Sequence, residues 1–291
     1  MIIVKITGGL GNQMFQFAVA SILAKNVDYK LYLEIDFFKS IQKGVTPRDF
    51  QLNIFNNQYS FLSVMDIEKL MGDAGIIKLI KKTLGVKTLT TYKEKSLNFD
   101  SNVLEITSPV YLKGYFQSYK YFRGNERFVR DLFKFDSESL KGKNIYYLSQ
   151  IQSSNSVSIH IRRGDYVSNK DILEDHGICN FDYYLKAINI LSSKISSFKL
   201  FFFSDDMDWV KENFSSINVD KFFIEQEQKN DWIDMFLMSS CKHQIIANSS
   251  FSWWGTWLNS NNSKIVVAPK IWNKKNNLER ETLLPKSTIR V

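Results

Sequence analysis

The sequence predicts an α/β protein of two domains, and three observations support this. Short apolar segments that predict strands alternate with longer segments of helical spacing. The chain opens on a strand, a glycine-rich turn and a helix at residues 2–6, 7–13 and 14–24, the start of a Rossmann-type unit. The length of 291 residues exceeds what one ordinary core needs. A polar stretch at 137–156 predicts the boundary, so we expect domains of residues 1–150 and 151–291.

Composition narrows the class of protein. Hydrophobic residues make up 44% of the chain and aromatic residues 14%, which predicts a globular protein rather than a disordered one. No apolar stretch is long enough to span a membrane and the start lacks the pattern of a secretory signal, so we expect a cytosolic protein. The two Cys and three His lack the spacing of a metal site, so we expect no metal cofactor.

The charge of the chain predicts an anionic partner. The formal net charge is +8, and residues 264–291 hold seven basic and two acidic groups. For segment 75–84, whose lysines lie opposite an apolar face, we favour a core-packed helix over one bound to anionic lipid. Nucleic acid is not expected, because the lysines do not interleave with aromatic residues. Of the possible anionic partners, we therefore expect a phosphorylated substrate. We also expect weak peripheral contact with an anionic membrane.

The first glycine-rich turn differs from a dinucleotide-binding motif. It reads GGLGNQ over residues 8–13, not GxGxxG. Asn12 and Gln13 occupy the start of the helix, where free backbone N–H groups and side-chain amides hold an anion or a sugar hydroxyl. We therefore predict a sugar-facing turn. The alternative is a tight turn with Asn12 as the helix cap.

A second polar and aromatic turn follows the strand that begins at Val110. Gly114, Tyr115 and Gln117 combine an aromatic face with an amide, which suits a sugar. We predict that they form an acceptor-facing wall. Burial of the aromatic residues in the core is the alternative.

The stretch from His160 to Tyr166, HIRRGDY, is the central motif. It follows the strand 157–159, and strand alternation places His160 and Arg162 on one face. The planar fork of an arginine suits a phosphate, and open α/β sheets bind ligands at the carboxyl ends of their strands. Arg162 is therefore predicted to bind a diphosphate. The alternative is a surface turn in which Arg163 pairs with Asp165.

Two later strands also end in polar groups. The apolar run 198–203 ends at Asp205 and Asp206, which predict either a helix cap or a carboxylate that reads the N–H edge of guanine. The strand 244–247 leads into Asn248, Ser249, Ser250 and Phe251, where hydroxyls and backbone N–H groups form a neutral phosphate cradle. The tryptophans at 253, 254 and 257 have helical spacing and are predicted to lie in the core.

Four of these segments in order, at residues 8–16, 160–166, 203–206 and 248–255, resemble the bacterial α-1,2-fucosyltransferases of glycosyltransferase family 11. The resemblance implies a GT-B-like fold, in which two Rossmann-like domains face each other across a cleft. It also implies GDP-fucose as donor, a terminal β-galactoside as acceptor, inversion at the anomeric carbon, no required metal, and a place in O-antigen or surface-glycan synthesis.

The resemblance also assigns roles to residues. Arg162 is expected to bind the β-phosphate; His160 and one of Asp205 or Asp206 are expected at the guanosine end. The remaining expectations are Ser249, Ser250, Phe251 and Gly11 on the donor side, Gln13, Tyr115, Gln117 and Tyr166 on the acceptor side, and Arg162, Arg163 and Asn12 in catalysis.

Several alternatives stay open at this stage. The candidates for the base that deprotonates the acceptor are Asp36, Asp165, Asp171, Glu174 and His176. The rival functions are a fucosyltransferase of another linkage, a transferase that uses another GDP-sugar, and a sugar-binding protein without activity.

Overall fold

The computed structural model describes residues 1–39, 46–72, 87–164, 173–174, 177–226, 230–274 and 282–291. The chain divides into two compact units, Met1–Lys134 and Phe135–Val291. Each unit contains one parallel sheet with helices in its connections. The predicted α/β class with two domains is therefore confirmed. The basic segment predicted at 75–84 lies outside the described residues.

The first unit is built on a sheet of five strands in the order β3-β2-β1-β5-β4. The strands are β1 (Ile2–Lys5), β2 (Leu31–Glu34), β3 (Ser60–Phe61), β4 (Thr90–Lys93) and β5 (Val110–Lys113). The α-helices are α1 (Leu10–Val27), α2 (Val64–Met71) and α3 (Glu126–Leu132), and short 3-10 turns lie at Asp36–Lys39, Leu52–Ile54, Ser101–Glu105 and Tyr119–Phe122.

Helix α1 forms the core of this unit. Every residue from Gln13 to Ala24 is buried, as expected of a helix that is covered on all sides. One buried polar side chain inside it bonds to the backbone of both neighbouring strand ends: the amide of Gln16 accepts from Thr7 N at 2.9 Å and donates to the Gly114 carbonyl at 3.1 Å. Gln16 thereby joins the carboxyl ends of β1 and β5, two neighbouring strands.

The second unit has a sheet of six strands in the order β11-β10-β9-β6-β7-β8. The strands are β6 (Ser156–Ile161), β7 (Lys199–Ser204), β8 (Lys221–Phe223), β9 (His243–Ile245), β10 (Val266–Ala268) and β11 (Ile289–Arg290). The helices are α4 (Lys143–Gln152), α5 (Phe181–Ser192), α6 (Met207–Phe214), α7 (Asp231–Ser240) and α8 (Ser250–Leu258), with a 3-10 turn at Ser137–Ser139.

Strand β6 is the centre of the second sheet. All six of its residues are buried, and it pairs in parallel with β7 on one side and β9 on the other. Strands covered on both faces usually read as continuous apolar runs, but β6 alternates Val157, Ile159 and Ile161 with the buried polar residues Ser156, Ser158 and His160. The next strand, β7, supplies Phe201, Phe202 and Phe203, which are all buried.

The units divide earlier than the predicted boundary at 150/151, between Lys134 and Phe135. The stretch 137–156 was interpreted as a linker, but it contains α4, which packs against α7 of the second unit. The ring of Phe135 also stacks on that of Trp232 in α7, with 6.0 Å between the ring centroids. Polar composition misled the interpretation because one face of α4 is solvated.

Other differences have local causes. The segment 119–133 does not form one continuous helix, because Gly124 has φ +76° between the 3-10 turn Tyr119–Phe122 and α3. Strands β3, β4 and β11 were not predicted; they are edge strands, and β3 and β11 have only two residues each. Among the described residues no helix is both long and apolar enough to cross a bilayer.

Candidate functional site

Both sheets have a topological switch point, where successive strands are added in opposite directions. In the second sheet it lies between β6 and β9, and in the first between β1 and β5. Open α/β sheets bind ligands beyond the carboxyl ends of the strands at such points. The motifs singled out from the sequence follow these four strands and β7.

The best-defined contact at the second switch point is an ion pair. Arg162, directly after β6, places Nη1 2.8 Å from Oδ2 of Asp205, which follows β7. Asp205 Oδ1 also accepts from the Arg163 backbone N–H at 2.8 Å. Burial alone would raise the pKa of Asp205, but Arg162 and the amides of Arg163 and Gly164 outweigh it and lower the pKa. The carboxylate stays ionised and holds one edge of the Arg162 guanidinium.

Gly164 is required by this contact. A Cβ at this position would lie 2.7 Å from Oδ2 of Asp205, closer than van der Waals contact allows. The glycine of the motif therefore lets the two strand ends approach each other.

Arg163 turns to a different carboxylate. Its Nε lies 3.1 Å from Oδ2 of Asp206, and its guanidinium lies 4.0 Å from the ring centroid of Trp209. The predicted partner, Asp165, lies outside the described residues. Asp206 is also the N-cap of α6, where it accepts from the Trp209 N–H at 3.3 Å, so the helix-cap interpretation is confirmed for this residue. Arg163 thus braces the end of β6 against the start of α6.

His160 is the last residue but one of β6. Its ring centroid is 5.5 Å from that of Phe251, and its carbonyl accepts from the Tyr184 hydroxyl at 3.1 Å. The side chain is buried, and no described residue hydrogen-bonds to its Nδ1. Burial lowers the pKa of His160 to about 4, despite the opposing charge of Asp205. His160 is therefore a neutral ring. Its contact with Phe251 joins β6 to the start of α8 across the switch point between β6 and β9.

The serine turn after β9 has the predicted strand-to-helix form. Ser249 is the N-cap of α8, and its hydroxyl accepts from the Phe251 N–H at 3.2 Å. The N-terminus of α8 therefore points to the same edge of the sheet as Arg162. Trp253 and Trp254 are buried, which confirms the core prediction for both.

Asn248 was counted with the serines, but its side chain has a separate task. It is buried, and its Nδ2 donates to the carbonyls of Gly177 at 3.2 Å and Trp272 at 3.4 Å. The thiol of Cys179 contacts its Oδ1 at 3.6 Å. Asn248 therefore ties together three loops that border the switch point.

The first switch point joins the two turns predicted to face a sugar. The Gln117 Nε2 donates to Asn12 Oδ1 at 2.8 Å, across the ends of β1 and β5. Helix α1 begins with Gly9 as N-cap, without a side-chain cap, so the interpretation of Asn12 as the cap is wrong. Asn12 is the third residue of the helix, and its side-chain amide bonds to Gln117 instead. Gly11 is buried in the same turn.

Gln13 is fully buried. Its Nε2 donates to the carbonyls of Gly8 and Asp49, at 2.9 and 2.8 Å, and its Oε1 accepts from the Gln51 N–H at 2.9 Å. Direct contact of Gln13 with an acceptor would break these bonds. Its role on the acceptor side stays a prediction.

Sequence reasoning missed Glu94. Its carboxylate accepts from the N–H groups of Tyr115 and Phe116, at 2.7 and 3.0 Å, and so holds the turn after β5. No signal marked this residue, which stands in a polar run that predicts a solvated loop. Tyr115 itself is 40% exposed, as the prediction of an acceptor-facing wall requires.

The remaining candidates are less defined. Tyr166, Asp165, Asp171 and His176 lie outside the described residues, and Glu174 is exposed. Asp36 is engaged, since it accepts from Lys39 Nζ at 2.6 Å and the Val64 N–H at 2.9 Å. Within the described part of the chain, no three His, Cys, Asp or Glu side chains are grouped as a metal site.

The lowered pKa of His160 predicts acid sensitivity. An unfolded histidine titrates near 6.5, so between about pH 6.5 and the folded pKa of about 4 only the unfolded chain binds the proton. The free energy of unfolding should therefore fall as pH falls through this window, by on the order of 3 kcal/mol from this group. Urea unfolding of wild type and His160→Asn from pH 4 to 7 measures it. The variant should give a flatter curve, and equal slopes would contradict the assignment.

Comparison with known proteins shows the family of the chain. The chain matches the profile described as Glycosyl transferase family 11 over residues 1–286. It is 34% identical over 297 residues to the O-antigen biosynthesis glycosyltransferase WbnK of Escherichia coli, covering 96% of this chain and 97% of that protein. It is 32% identical over 295 residues to an alpha-1,2-colitosyltransferase of Escherichia coli, covering 100% and 99%. A galactoside 2-alpha-L-fucosyltransferase of Caenorhabditis elegans is 28% identical over 159 residues, covering 52% of this chain and 43% of that protein.

A solved structure supports the fold. POFUT1 in complex with GDP has a TM-score of 0.51 at 12% identity, covering 90% of this chain and 96% of that chain. This likeness agrees with a GT-B-like architecture of two Rossmann-like domains. Because the family profile covers nearly the whole sequence and two relatives align over their full length, the chain belongs to glycosyltransferase family 11.

Proposed function

We propose that this glycosyltransferase moves L-fucose from GDP-fucose, with inversion, to the 2-hydroxyl of a terminal β-galactoside, in O-antigen or surface-glycan synthesis. The observation that carries the proposal is the second switch point, where Arg162 and the N-terminus of α8 meet at one sheet edge. A guanidinium and a helix N-terminus together suit a diphosphate. The relatives that act in O-antigen synthesis and on galactosides support the choice of substrates.

The proposed chemistry depends on stabilising the leaving group. Cleavage of the sugar–phosphate bond leaves negative charge on GDP and positive charge on the sugar, so donors must be aimed at the phosphate. Arg162 is suited to this task because Asp205 fixes its orientation before substrate arrives. The N–H groups at the start of α8 add a second, uncharged contact.

The guanine is assigned to Asp206 rather than Asp205. Both carboxylates are already engaged, Asp205 with Arg162 and the Arg163 amide and Asp206 with Arg163 Nε and the Trp209 amide. Exposure separates them, because the side chain of Asp205 is 16% exposed and that of Asp206 is 34% exposed. A carboxylate that reads guanine must reach the N1–H and N2–H₂ edge. His160 is assigned to the guanosine end as a neutral ring.

The acceptor is assigned to the first switch point, with Asn12, Tyr115 and Gln117 as its contacts. The base for the 2-hydroxyl is not among these residues. In a loose reaction the proton leaves late, so leaving-group stabilisation is the larger requirement.

GDP-colitose is a second candidate donor. The observation that favours it is the full-length similarity to an alpha-1,2-colitosyltransferase. Colitose is fucose without the 3-hydroxyl, so the two donors share the nucleotide and differ at one sugar position.

The experiment supplies GDP-fucose, GDP-colitose or GDP-mannose together with lactose, and NMR identifies the linkage of the product. We expect transfer of fucose to the galactose 2-hydroxyl, with GDP released in equal amount. Preference for GDP-colitose would select the second candidate. Another linkage, or binding without GDP release, would contradict the proposal.

The two arginines should differ in catalysis. Arg162→Lys keeps the charge but loses the fork, so kcat/KM should fall about 10²-fold, equivalent to roughly 2.7 kcal/mol. Arg163→Lys loses its contact with Trp209 and should lower the melting temperature more than kcat/KM. Steady-state kinetics and thermal unfolding of both variants test this. The reverse ranking would contradict the assignment.

Turnover should not require a metal ion. In the proposal Arg162 and the α8 N-terminus supply the stabilisation that a divalent cation supplies elsewhere. Initial rates in EDTA should therefore remain close to those without it. Complete loss of activity, restored by Mn²⁺, would refute metal independence.

We also propose a cytoplasmic location with weak contact at the inner membrane. The support is the basic charge of the C-terminal stretch, since each lysine near an anionic surface contributes about 1 kcal/mol. Flotation with anionic vesicles at low and high salt tests it. We expect association at low salt that is lost at high salt, and no association at low salt would remove the membrane contact.

A further inference from the structure

The turn after β5 contains an unusual backbone conformation. Phe116 has φ +53°, in the left-handed region that bulky side chains rarely adopt, and its ring is fully buried. Such strain persists only where the surroundings over-determine it, and it clusters at ligand sites. The turn of residues 114–118 is therefore a candidate functional element.

The carboxylate of Glu94 holds this strained turn. Its two oxygens accept separately from Tyr115 N at 2.7 Å and Phe116 N at 3.0 Å, so one charged group satisfies two successive amides. Gly114 is needed for the approach, because a Cβ there would lie 2.9 Å from Glu94 Oε2 and 3.0 Å from the Phe116 ring. A carboxylate between two N–H groups is specific, since an amide would face one of them with a donor.

The same turn is attached to the start of α1. Gln16 donates to the Gly114 carbonyl at 3.1 Å, and Gln117 donates to Asn12 at 2.8 Å. These bonds fix the turn from inside the unit, while the Tyr115 side chain remains 40% exposed. The strained turn therefore places the Tyr115 ring and the Gln117–Asn12 amide pair at the carboxyl edge of the sheet.

We propose that Glu94 is a positioning residue for the acceptor. It holds the 114–118 turn so that Tyr115 packs on the C–H face of the terminal galactose, beside the Gln117–Asn12 pair. This inference rests on the proposed function, because it takes the first switch point as the acceptor side. Glu94 contacts no substrate in this account and acts only through the turn.

The test compares Glu94→Gln with Glu105→Gln, an exposed glutamate whose change alters the charge equally. Using lactose and GDP-fucose, we expect Glu94→Gln to raise the acceptor KM about tenfold or more while the donor KM stays within about twofold. Glu105→Gln should match wild type in both. Tyr115→Ala should reproduce the rise in acceptor KM without loss of thermal stability.

Two results would overturn the inference. One is an unchanged acceptor KM in Glu94→Gln; the other is an equal rise of both KM values together with a lower melting temperature, which marks a purely structural role. If Glu94→Gln does not fold, Tyr115→Ala decides, and an unchanged acceptor KM rejects the inference. Wild type is assayed first: absence of transfer to lactose refutes the proposed function itself, whereas transfer with an unaltered variant refutes only the role of Glu94.

Discussion

The ion pair between Arg162 and Asp205 is the contact on which the proposed donor site depends. Its atoms are 2.8 Å apart, and the side chains are only 22% and 16% exposed. An exposed pair contributes little to stability, but a partly buried one that also accepts a backbone N–H is held in one geometry. The pair joins the ends of β6 and β7, and Gly164 is the residue that permits the approach. A guanidinium fixed before substrate arrives needs no reorganisation when charge develops on the leaving group.

The two units use different kinds of side chain at their switch points. In the second unit, charged groups meet at the switch point: two arginines and two aspartates, with Asp206 also capping α6. In the first unit, neutral amides bond across the strand ends, through Gln117 with Asn12 and through the buried Gln13 and Gln16, while the Glu94 carboxylate holds the backbone of the turn after β5. Charge suits a diphosphate and amides suit sugar hydroxyls, which is consistent with a donor side and an acceptor side.

Strand ends and turns could be predicted from sequence because they carry local signals. A strand pattern followed by Gly164, by Asp205 or by Ser249 marks a sheet edge without any knowledge of tertiary structure. Partners could not be predicted, since they are distant in the chain. Arg163 meets Asp206 from another strand, and Glu94 bonds to a turn twenty or so residues later. The positive φ of Phe116 could not be predicted either, because a phenylalanine at this position indicates only a buried ring. The predicted domain boundary at 150/151 differs from the observed division at 134/135 for a related reason. Helix α4 lies in a polar stretch, so the sequence does not show which of its residues pack against the second unit.

A double-mutant cycle on GDP affinity tests the central claim, that Asp205 acts through Arg162. Calorimetry would measure GDP binding to wild type, Arg162→Lys, Asp205→Asn and the double variant. The account predicts that Asp205→Asn weakens GDP binding in wild type but has little effect once Arg162 is Lys, with a coupling energy of about 1–3 kcal/mol. Additive losses, within about 0.5 kcal/mol, would show that Asp205 contacts the nucleotide independently, and would contradict the account.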